Sequence, residues 1–305
     1  MTRARAVGYL CALGAGALWG TTGPLSTALY AAGAELTGIG FWRVAIASVG
    51  FLAVGVVRRD LFRGERRLIA AAALGGGALV ASFEVSYQFA IAGTGVAGAA
   101  ALLYTAPIMV AILAATLLKE RMTAPRVAIA AVVAIGATLT VRGGPGGSAS
   151  LSSGPGILAG VTGGLAAAAS YAGTTVLARF IVPRLGILRF LALEIVGGTA
   201  ILAAALPLAG FPPAPPPVAT AWVYVAALAV GTVLLANLFF FAAVRRIEAT
   251  PTAVTATIEP VIGALLALAL LGQHLTRPGW FGLLMVVAGV ALMYALEGRA
   301  PRASP

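Results

Sequence analysis

Apolar residues run along this chain in long, nearly charge-free stretches, each followed by a short polar gap in which the arginines collect. Ten such stretches are legible, at about residues 7–30, 38–57, 68–91, 95–118, 126–141, 156–178, 190–209, 220–244, 251–271 and 279–297. Most are close to the ~20 residues that a helix needs to cross a bilayer. No apolar–polar alternation marks strands, and unpaired backbone groups are costly in hydrocarbon, so the stretches are predicted to be helices. The first, from Val7 to Tyr30, follows Arg3 and Arg5 as a signal peptide would; its length instead predicts a retained first span.

Composition agrees with burial in lipid. Of 305 residues, 60% are hydrophobic and 10% charged, and the mean hydropathy is +1.01. The net charge of +11 could serve a nucleic-acid partner, but the placement of the basic residues argues against one. With the N-terminus in the cytoplasm, 17 basic residues fall inside and only Arg43, Arg142 and Arg277 fall in the outer half. That asymmetry predicts both termini inside and an even number of spans. One cysteine, Cys11, and one histidine, His274, provide for neither a disulfide nor a metal cluster, and no cofactor is expected.

The chain also repeats itself. A shift of 153 positions lays Pro107 to Pro125 on Pro260 to Pro278 with eight of nineteen residues identical, and pairs Glu84 with Asn237. A nearby shift lays Leu13 to Thr22 on Leu165 to Thr174, setting Trp19 opposite Tyr171. Residues 1–142 and 156–298 are therefore expected to form two five-helix halves, joined by a Gly/Ser-rich linker at 143–155 and followed by a cytoplasmic tail at 299–305. Five is odd, so the second half enters the membrane inverted. Inverted halves are a device for alternating access to a site near the midplane. The expected fold is an all-α integral membrane protein of ten transmembrane helices.

Trp19-Gly20 followed by Pro24, Phe41-Trp42-Arg43, Pro107 with LLKERMT, and the repeat of these as Pro260 with LLGQHLT resemble the drug/metabolite transporter superfamily in its EamA-type ten-helix branch. The likeness extends over nearly the whole chain, with Gln273 standing where Glu120 stands in the first copy. It implies a transporter of the inner or plasma membrane. Within the branch, the aromatic content is similar to that of exporters of amino acids, including aromatic ones.

An ionisable group at membrane depth is a functional candidate because its insertion costs about 2.5 to 3.5 kcal/mol. Glu259 lies well inside the ninth span, with Thr252 and Thr255 at helical spacing and Pro260 beside it. Glu84 and Gln88 lie one turn apart in the third. Trp19, Tyr87, Tyr104 and Tyr171 are candidate walls for a cavity, with Asn237 as a neutral hydrogen-bonding partner. Glu84 and Glu259 are candidate proton-coupling groups, and Pro107 and Pro260 candidate hinges. Arg43 and Glu194 stand near span ends, which predicts snorkelling or a structural ion pair.

No GxxxxGK[ST] loop is present, so no ATP-driven motor is expected. The leading expectation is a secondary carrier for amino acids or similar small polar metabolites, surrounded by lipid, as a monomer or a homodimer. Its alternatives are a carrier of nucleobases, sugars or drugs, or a channel in the same fold. An intramembrane enzyme would need a nucleophile with its base, or clustered metal ligands, and the scattered single acids do not supply them.

Overall fold

The computed structural model describes residues 3–120, 123–143, 155–271 and 274–299. The expected linker and tail lie almost wholly outside these, as does the side chain of Gln88. Among the described residues all regular structure is helical. The first half comprises α1 (Arg3–Gly20), α2 (Thr22–Ala31), α3 (Leu36–Val57), α4 (Arg66–Ala70), α5 (Gly77–Leu103), α6 (Ala106–Leu117) and α7 (Ala124–Arg142). The second comprises α8 (Pro155–Leu185), α9 (Ile187–Leu208), α10 (Ala219–Leu228), α11 (Ala236–Val244), α12 (Ala249–Ala256), α13 (Glu259–Leu271) and α14 (Arg277–Arg299). A π-helical turn joins α4 to α5 at Ala71–Gly76, and another joins α10 to α11 at Ala229–Leu235.

Among the described residues nine segments are long and apolar enough to cross a membrane. The stretch expected at 7–30 is not one of them; it forms α1 and α2 with a turn at Thr21 between them. Arg3 and Arg5 lower the hydropathy of α1, and α2 has only 10 residues. The third and fourth expected spans share the continuous helical segment α5. Gly163 of α8 packs against Ala90, yet its neighbour Gly164 packs against Leu102. A straight helix would hold Ala90 and Leu102 about 18 Å apart, so α5 folds back on itself between them.

Two further breaks correspond between the halves. Tyr104 and Thr105 separate α5 from α6, and Thr257 and Ile258 separate α12 from α13. Pro107 and Pro260 each stand at the second residue of the helix after the break, where a missing N–H costs no hydrogen bond. Pro260 therefore starts a helix rather than bending a continuous one. The break also interrupts the helix face expected to join Thr252, Thr255 and Glu259.

Close backbone approaches set the packing. A Cβ at Gly136 of α7 would stand 2.8 Å from the carbonyl oxygen of Gly282 in α14. One at Gly20 would stand 2.8 Å from that of Glu259, so the glycine of the Trp19-Gly20 pair lets α1 lie directly on the α12–α13 break. Outward, Val56, Val57 and Leu208 are almost fully exposed apolar side chains, as expected of a surface covered by lipid.

Candidate functional site

One cavity of about 170 Å³ lies between the two halves. Helix α3 contributes Arg43, α5 contributes Glu84 and Tyr87, and α1 contributes Trp19; from the second half come Tyr171 of α8, Glu194 of α9, Asn237 of α11 and Glu259 of α13. The cavity is thus built from both repeats, each supplying aromatic rings and acidic groups.

Arg43 Nη2 donates to Glu84 Oε1 at 2.6 Å. Both side chains are largely buried, and Arg43 Nε and Glu84 Oε2 have no hydrogen-bond partner among the described residues. A short charge-assisted contact in a poorly solvated site holds the pair in one geometry. Glu194 is 1% exposed, and its Oε2 has no partner. Glu259, at the first residue of α13, completes the set of charged lining groups.

The aromatic wall has two parts, a cluster of three rings and a stacked pair. Trp19 meets Tyr171 edge-on with ring centroids 6.0 Å apart, and Phe240 lies 5.2 Å from Trp19 and 5.5 Å from Tyr171. Phe83 and Tyr87 stack at 5.7 Å. The π-helical turn beside α11 explains how Trp19 is held. A π turn leaves carbonyls outside the regular ladder; Trp19 Nε1 donates to Thr232 O at 3.0 Å, and Asn237 Nδ2 donates to Val233 O at 2.8 Å. Asn237 thus donates its amide N–H to this backbone while also bordering the cavity.

At one end of the bundle, ion pairs cross between the halves. Arg126 pairs with Glu248 at 2.5 Å, and Arg179 Nε lies 3.6 Å from Glu120 Oε1, which also accepts from the backbone N–H of Ala249 at 3.1 Å. Burial raises the Glu120 carboxyl above its ordinary pKa, against the lowering effects of the Ala249 N–H and of Arg179. Asp60, outside the spans, is instead lowered, chiefly by its hydrogen bond from Arg189 at 2.9 Å.

The EamA-like transporter family matches residues 6–142 and again 158–295. The chain belongs to this family. A solved crystal structure, described only as that of a protein, shares the fold with a TM-score of 0.78, over 97% of this chain and 99% of its own at 20% identity. No curated protein matches the sequence. Membership makes the chain a multi-pass membrane transporter of small molecules, built from two EamA repeats.

In this EamA-type chain the cavity takes in Trp19, Glu84, Tyr87, Tyr171, Asn237 and Glu259 of the residues singled out in the sequence. Tyr104 stands apart from it, lining a smaller adjoining space of about 30 Å³ with Pro107 and Thr257; Trp19, Tyr171 and Glu259 border both. Thr252 and Thr255 are fully buried and line neither. Glu84 is not an open acceptor at both oxygens, since Arg43 holds one.

Sequence reasoning passed over Arg43 and Glu194 as lining groups because each lies near a span end. It also passed over Thr22 and Thr174, which both border the cavity. For the threonines a signal existed: the alignment that sets Trp19 on Tyr171 ends by setting Thr22 on Thr174.

Proposed function

We propose that this EamA-type protein is a secondary transporter that exports amino acids or similar small polar metabolites across the plasma or inner membrane by alternating access, with both termini cytoplasmic. The observation that carries this reading is the Arg43–Glu84 pair standing with Glu259 in one aromatic-walled cavity between the repeats. A guanidinium suits a substrate carboxylate and a carboxylate suits an ammonium group. Trp19, Tyr171 and Tyr87 provide apolar faces on which a cation also rests favourably. Glu259 and Glu84 are the groups assigned to proton coupling. The breaks before Pro107 and Pro260 are the assigned hinges, because few backbone hydrogen bonds within the helix need to be lost where it is already interrupted.

Purified protein in liposomes tests this reading. Amino acids, nucleobases and sugars are offered with and without a pH gradient. The expected result is saturable amino-acid flux with counterflow, accelerated by the gradient and made insensitive to it in Glu259→Gln. Flux of another class alone would replace the substrate assignment. Flux that neither saturates nor shows counterflow would replace the carrier by a channel.

A further inference from the structure

Among the described residues Glu194 has no side-chain partner. It is 1% exposed, its Oε2 accepts no hydrogen bond, and among the described residues it makes no ion pair. It nevertheless borders the cavity, and space is kept for it: a Cβ at Gly76 would stand 2.9 Å from that of Glu194. A carboxylate buried without a cation or a donor is costly. Without substrate a proton offsets that cost, and a cationic group entering through the cavity can take the proton's place.

Its position has a counterpart. Arg43 is the eighth residue of α3, and Glu194 is the eighth residue of α9, the two helices being second in their respective halves after the opening segment. The corresponding places thus present opposite charges to one cavity. Arg43 is engaged by Glu84, whereas Glu194 has no ion-pair or hydrogen-bond partner among the described residues.

We propose that Glu194 receives a second cationic group of the substrate, so that the preferred substrate is an amino acid with a basic side chain. The inference rests on the amino-acid reading above and narrows it. In that arrangement Arg43 faces the α-carboxylate, Glu259 the α-ammonium group, and Glu194 the distal ammonium or guanidinium. The Arg43–Glu84 pair is neutral, the two remaining carboxylates meet the substrate's two cationic groups, and the substrate's carboxylate shares Arg43; the single negative charge left over is met by a proton on one of these carboxyl groups. A cavity of about 170 Å³ holds on the order of a dozen waters at ~10–15 Å³ each, which is adequate for a molecule of about ten non-hydrogen atoms such as lysine.

Counterflow in proteoliposomes containing the full chain decides the matter, with lysine, norleucine and tryptophan as probes. Norleucine has the length of lysine without the distal charge. The wild type is expected to move lysine roughly tenfold or more faster than norleucine, since a buried polar receptor rejects the analogue that leaves it unpaired. Glu194→Gln should lose that preference, lysine and norleucine fluxes then lying within about twofold of each other. Equal lysine and norleucine flux in the wild type, or an undiminished lysine preference in a folded Glu194→Gln, would overturn the inference while leaving the amino-acid reading intact. Thermal unfolding in detergent establishes folding; if Glu194→Gln does not fold, the wild-type preference alone decides. Failure of the folded wild type to move any of the three, with flux of nucleobases or sugars, would remove the amino-acid reading itself and this inference with it.

Discussion

The indole N–H of Trp19 donates to the carbonyl oxygen of Thr232 at 3.0 Å, tying the first helix of one half to the π-helical turn of the other. The same ring touches Tyr171 and Phe240. It therefore has two separable roles, one as a donor and one as an aromatic surface.

Replacing Trp19 by Phe keeps a ring and removes the donor. Thr232 O then loses its indole donor, with Asn237 Nδ2 beside it at 3.4 Å, and a loss of about 1 to 2 kcal/mol in stability is expected. Trp19→Ala also deletes the ring contacts and should cost more, about 3 to 5 kcal/mol for a packed Trp. Denaturant titration in detergent checks the order; equal stability of Trp19→Phe and wild type would mean that the hydrogen bond contributes nothing.

Arg43 and Glu84 should fail separately and recover together in stability only. Arg43→Gln or Glu84→Gln alone leaves a buried charge without its counter-ion, with an expected cost of about 3 to 5 kcal/mol. The double variant removes both charges and is expected to unfold closer to the wild-type midpoint. Transport should remain lost in all three, since a guanidinium in the cavity is absent or mispositioned in each. A double variant as unstable as the worse single variant would show that the two side chains are not energetically coupled.

Glu120 supplies a pH dependence. Its carboxyl is raised above the ordinary value by burial, so the folded chain binds this proton more tightly than the unfolded chain does. Its contribution to stability is fully present below the unfolded carboxyl's pKa and declines as pH rises through the folded one. Melting temperatures of wild type and Glu120→Gln, compared across the weakly acidic range, should converge toward low pH and part as pH rises, with the variant the flatter profile. Parallel curves would rule out Glu120 as the source.

The repeat made several distant neighbours readable before any coordinates. Trp19 and Tyr171 were paired by alignment and are in ring contact; Glu84 and Asn237, paired by the 153-residue shift, border one cavity. Arg43 and Glu194 were not readable in this way. Distance from a span end measures depth along the chain, but a side chain's surroundings depend on which way the helix is turned and on what lies opposite. The breaks at Tyr104–Thr105 and Thr257–Ile258 were equally hidden, since apolar composition continues across both.

From the sequence alone came the all-helical class, the repeated halves, the family resemblance and three of the cavity's six aromatic residues. Those follow from local rules, because hydrocarbon demands apolar runs with internally satisfied backbones and a duplicated segment keeps its spacing. Tertiary structure alone decided that Glu84 is held by Arg43, that Asn237 supports a π-helical turn, that Tyr104 stands in a side chamber, and that Glu194 reaches the cavity unpaired. Each of these depends on the rotation and close approach of helices far apart in the chain, quantities that packing across the bundle determines and no linear pattern encodes.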